Sequence, residues 1–132
     1  MRRFVKYKHA RLLGYNINLF VADSFPKLML GLMHMHSLGR RQGMLFIFSR
    51  PARHGIWMRN MLFSIDIIWL DKNFIVVDIA ENAKPCSNLF GCQTYLPNKP
   101  ATYVLELNAY AAKKLGIKKG SRLKIVTAPG EN

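Results

Sequence analysis

The chain runs to 132 residues, the size of one domain, and at that length a core can form without a metal or a disulfide framework. Half of its residues are hydrophobic and 20% are charged, which excludes a disordered chain, and no apolar run is long enough to span a membrane as a helix. Twenty Lys and Arg stand against seven Asp and Glu, a net charge of +13 whose field attracts polyanions and anionic surfaces without deciding the fold.

The charge is uneven along the chain. Residues 1–59 carry eleven basic side chains and only Asp23 as an acid, whereas Asp66, Asp71, Asp78 and Glu81 outnumber Lys72 over 60–83. Lys6, Lys8 and Arg11 break what would be the apolar core of a secretory signal, so a cytoplasmic protein is expected. Residues 1–14 read as a basic arm or a first strand, 15–127 as the single domain and 128–132 as a tail.

Within the domain, Ile17, Leu19 and Val21 alternate with Asn16 and Asn18, which predicts a strand over Tyr15–Ala22. Asp23 or Ser24 then caps a helix with Pro26 in its first turn, and Leu28, Met29, Leu32, Met33 and Met35 give it an apolar stripe. Met44–Phe48 is a short buried strand, Ser49–Gly55 a loop, and Ile56–Arg59 another short strand. Asp66–Asp71 and Phe74–Ala80 flank Lys72-Asn73 as a hairpin. Residues 84–101, with Pro85, Gly91, Pro97 and Pro100, form a long loop. Thr102–Leu107 is a strand, Asn108 caps a helix over Ala109–Leu115 that Gly116 ends, and Ser121–Val126 closes the chain as a strand. The fold class expected is mainly β (α+β), a compact barrel-like strand-rich domain with two short helices.

Several phrases stand in order: Gly31-Leu32-Met33, Gly43-Met44-Leu45-Phe46, Trp57-Met58-Arg59-Asn60, Ile65-Asp66-Ile67-Ile68, Pro85-Cys86 and Tyr103 to Ala109. From about Val21 to Val126 the chain resembles the family catalogued as domain of unknown function 192. That resemblance implies a small strand-rich fold and no established activity. Met35, Met61 and Ser64 stand where the family usually has Arg, Thr and Pro, so a function resting on that Arg or Thr is not expected here.

Asp66 opens the apolar run Ile67-Ile68-Trp69-Leu70, where a buried carboxylate needs a partner, and Arg59 or Asn60 could supply one. A polar cluster of Asn60, Asp66 and Glu106 on a wall of Trp57, Met58 and Arg59 has the composition of a ligand pocket. The competing expectation is a structural network fixing the 56–66 turn. Cys86 and Cys92 read first as free thiols, second as a loop-closing disulfide and third as zinc ligands, their spacing being unlike a zinc knuckle. Met29 to His36 reads as core methionines with surface histidines rather than a copper site. No metal site and no cofactor are expected. Three functions follow: an intracellular domain binding a small ligand, a nucleic-acid or polyanion binder acting through its basic ends, and a small enzyme using Asp66 as general acid or base.

Overall fold

In the computed structural model, residues 7–87 and 91–127 are described. Strands β1 (Lys8–Leu12) and β2 (Ile17–Ala22) pair antiparallel across a turn in which Gly14 and Asn16 have positive φ. A crossover through α1 (Phe25–Leu30) returns the chain to β3 (Gln42–Ala52), which lies parallel to β2. Then follow β4 (Ile56–Trp57), β5 (Ile65–Leu70), β6 (Val76–Ala83), β7 (Thr94–Tyr95), β8 (Ala101–Asn108), α2 (Ala111–Leu115) and β9 (Ile125–Thr127). Seven strands make one mixed sheet in the order β6-β5-β8-β3-β2-β1-β9, while β4 and β7 pair apart from it.

The fold is mainly β, with two short helices, but the barrel expected from the strand count is not closed. Edge strands β6 and β9 share no ladder. Residues 120–123 bridge the gap instead, through Gly120 N to Val76 O (2.8 Å), Val76 N to Ser121 O (2.9 Å) and Leu123 N to Phe74 O (2.9 Å). A chain that turns at Gly120, whose φ is +89°, can reach β6 with one end and β1 with the other.

Alternation assigns side chains to two cores. Leu19, Leu45, Ile68, Leu70, Leu105 and Leu107 face α2 and the final turn. Met44, Phe46, Ile65, Ile67, Trp69 and Val104 face the α1 side. All six residues of β5 are buried, so this strand is covered on both faces and reads as a continuous apolar run broken only by Asp66. Gly43 lies where β2, β3 and β8 meet: a Cβ there would stand 2.6 Å from Leu107 and 2.8 Å from the Glu106 carbonyl oxygen.

Four local expectations need correction. The first helix stops at Leu30 because Gly31 takes φ +49°, so Leu32, Met33 and Met35 lie beyond it and Met29 is exposed rather than in the core. Strand β3 runs through Pro51 to Ala52, beyond a register shift against β8, the kind of irregularity at which a strand tolerates proline. Asn108 does not cap α2; its amide donates to the carbonyls of Leu38 (2.9 Å) and Gly39 (3.1 Å). Cys86 and Cys92 are joined in a disulfide, where free thiols were the first expectation; their Cα atoms lie 5.8 Å apart. That bridge precedes β7, which Asp78 also helps to place. Burial pushes the Asp78 carboxyl up, but amides of Asn98 and Ile79 and the Lys119 ammonium outweigh this and hold it below the usual range.

Candidate ligand groove

The six residues expected to share a pocket divide between two faces of the sheet. Asp66 points toward α2 and is fully buried. Its Oδ1 accepts the backbone N–H groups of Asn82 (2.9 Å) and Tyr110 (3.1 Å), and its Oδ2 that of Ala112 (2.9 Å). Tyr110 sits in the left-handed region at the start of α2, and Asn82 takes φ +50° beside a register shift in β6. One carboxylate therefore satisfies backbone donors at two irregular points that secondary structure leaves open. Asn60 is not its partner, and Asp66 does not line the groove on the α1 face.

Asn60 has φ +62°, and its carbonyl accepts the N–H of His34 (3.0 Å) while its amide approaches Met33 Sδ (3.9 Å). It ties the 33–34 turn to the 58–61 turn. Met58 is buried, and its carbonyl accepts N–H bonds from Met61 and Cys86, both at 3.2 Å. Arg59 is exposed and lies over the Trp57 ring, 5.7 Å from its centroid.

Trp57 and Glu106 do share a cavity, a groove of about 510 Å³ on the α1 face. Its outer wall is Phe25, Leu28 and Met29 of α1. Phe46 and Phe48 of β3 form one side, and Ile56 and Trp57 of β4 with Thr94 of β7 form the other. Ile65 and Glu106 lie at its base. The sequence places Phe25 and Met29 four residues apart on one helical face, and a helix of six residues with no buried side chain leaves both largely exposed at the edge of the cavity. Phe25, Met29 and Trp57 are 75%, 59% and 47% exposed, and together they make an apolar mouth.

Glu106 is the unusual member. It occupies β8 in the middle of the sheet, opposite Met44 on β3 and Ile67 on β5, and is only 3% exposed. Among the described residues its carboxyl has no hydrogen-bond or ion-pair partner. Burial alone pushes its pKa up to about 8, so near neutrality it is a carboxylic acid with an O–H to donate.

The metal and polyanion expectations touch other places. Among the described residues no group of three or more His, Cys, Asp and Glu could hold a metal ion. Lys113, Lys118 and Lys119 border a shallow depression beside α2, with Lys119 paired to Asp78 at 3.2 Å. Arg2, Arg3 and Lys6 of the basic arm lie outside the described residues, as does the tail over 128–132. No helix among the described residues is long and apolar enough to cross a membrane.

A family model described as "Uncharacterized ACR" matches residues 8–125. A UPF0127 protein of Pyrococcus horikoshii is 38% identical over 65% of this chain and 68% of its own length. One from Pyrococcus furiosus is 32% identical over 81% and 85%. Two crystal structures share the fold at 29% identity. A Sinorhizobium meliloti protein, described as a suggested transcription regulator, has a TM-score of 0.79 over 91% of this chain and 95% of that one. A protein of unknown function from Novosphingobium aromaticivorans has 0.75 over 88% and 83%.

Proposed function

We propose, from the premise that the chain belongs to the domain of unknown function 192 family, that it is a ligand-binding domain whose site is the groove beneath α1. The observation that carries this reading is a concave, mainly apolar cavity with one ionisable side chain, Glu106, at its base. Such a combination is the ordinary build of a small-molecule site: apolar walls supply affinity and one polar group fixes orientation. The volume, about 510 Å³, suits one molecule of modest size rather than a protein segment. Covering Phe25, Met29 and Trp57 with ligand removes apolar surface from water at about 25 cal/mol per Å².

Asp66 is not part of this site. Sealed by three backbone amides, it has no access to a substrate and supports no acid–base role.

The test is binding of Nile red, a neutral dye whose emission rises and shifts to the blue in apolar surroundings. Wild-type protein is expected to bind it. Met29→Lys, a change at an exposed position on the mouth, is expected to weaken binding about tenfold while leaving the melting temperature nearly unchanged. Leu13→Lys, on the β1–β2 turn away from the groove, is the control. Absence of dye binding, or equal effects of the two variants, would overturn the groove assignment.

A further inference from the structure

Resting on the groove reading above, we propose that the ligand is an apolar molecule whose inserted end carries a carbonyl-type hydrogen-bond acceptor, received by the Glu106 carboxyl as donor. Apolar groups surround that carboxyl. Across the ladders its neighbours are Met44 and Ile67, and α1 presents Phe25, Leu28 and Met29 to the cavity. The β4–β7 pair presents no charged side chain, only Ile56, Trp57 and the neutral Thr94. Among the described residues no other ionisable group lines the groove.

Among the described residues, the charged and titratable side chains next to the walls are engaged with other groups. His54 stacks on Phe48 at 3.8 Å, its Nε2 2.8 Å from the Arg50 carbonyl. Lys27 on α1 is engaged with Asp23 at 3.8 Å, and Arg59 lies over Trp57. With no cation beside it and burial raising its pKa, Glu106 keeps its proton near neutrality. A buried O–H without an acceptor is costly, and a carbonyl oxygen arriving with the ligand relieves that cost.

A cationic ligand fits less well. It would have to approach a chain of net charge +13, with Arg59 lying over Trp57 of the mouth, and form an ion pair in an otherwise largely apolar site. A ketone, ester, amide or carboxylate oxygen meets neither obstacle. The acceptor is the common feature, and the base of the cavity reads it.

Three probes of matched length separate the alternatives: 2-decanone, undecane and decylamine, each titrated while the Trp57 indole N–H resonance is followed by NMR. At pH 6 the ketone is expected to bind about tenfold tighter than the hydrocarbon. That advantage should fade as pH rises through about 8, where Glu106 loses its proton. Glu106→Gln keeps a donor and should preserve the advantage at both ends of the range. Glu106→Leu should abolish it while undecane still binds. Tightest binding by decylamine, or equal affinity for ketone and hydrocarbon, would overturn the acceptor assignment and leave the groove standing. If none of the three probes moves the Trp57 signal, the groove reading itself fails.

Discussion

Replacing Asp66 with Asn is expected to cost about 3 kcal/mol of stability, roughly a 10 °C fall in melting temperature, and to leave the groove's ligand affinity unchanged. The carboxylate uses both oxygens to accept three backbone N–H groups. An Asn side chain has one acceptor oxygen and one NH2, so whichever way it turns, its NH2 faces a backbone donor. Either Ala112 or the pair Asn82 and Tyr110 is then left buried without an acceptor. These donors belong to the β6 irregularity and the start of α2, so both are expected to loosen together. Binding is spared because Asp66 and Glu106 lie on opposite faces of the sheet. Thermal denaturation beside a dye titration of the same variant checks both halves. A melting temperature within a degree or two of wild type would show that the three bonds do not hold these elements.

Glu106→Gln is expected to act in the opposite direction and to depend on pH. The folded state holds the Glu106 proton up to about pH 8, against an ordinary value of 4.5. Between those values the folded protein binds a proton that the unfolded chain releases, so wild-type stability falls as pH rises through that window. Below it both states are protonated and nothing is lost. Above pH 8 the full loss is reached, on the order of 4–5 kcal/mol. Gln is nearly isosteric and uncharged, so the variant should match wild type near pH 4.5 and exceed it by several kcal/mol near pH 9. Urea denaturation at the two pH values measures the difference. Parallel pH profiles for the two proteins would mean that Glu106 does not carry its proton to high pH.

Retaining a group with that cost is the physical ground for assigning it to binding. A leucine in the middle of β8 would serve the core better, since an unpaired buried carboxyl loses water contacts and gains none. Ligand occupancy offsets the penalty, and an empty groove does not.

Much of this arrangement was legible in the sequence, and the limits have particular causes. Strict alternation over Ile17–Val21 marks β2, and Lys72-Asn73 marks the hairpin turn, where Asp71 Oδ1 accepts the N–H groups of Asn73 (2.8 Å) and Ile75 (3.0 Å). An acid at the head of an apolar run identified Asp66 as buried and in need of partners. Its actual partners stand 16, 44 and 46 residues away, beyond any local pattern, whereas Arg59 and Asn60 are only its neighbours in sequence. Glu106, between Leu105 and Leu107, carried the same signal as Asp66, an acid inside a buried strand. What alternation alone could not supply was which face each acid took, because that depends on the register of β5 against β8. The methionine stripe misled for another reason. Helical spacing reports an apolar face but not whether anything packs against it, and in α1 that face looks into a cavity.

A ligand seated in the groove between α1, β3 and β4 would lie against methionine methyl groups, which report on it directly. Met29, Met33 and Met61 line the cavity, while Met58 is buried outside it, facing the depression beside Cys86. A methyl NMR titration with Nile red is therefore the most direct measurement. Large shifts at Met29, Met33 and Met61 with a stationary Met58 are the expected result. Dye binding that moves Met58 while those three stay fixed would contradict the account.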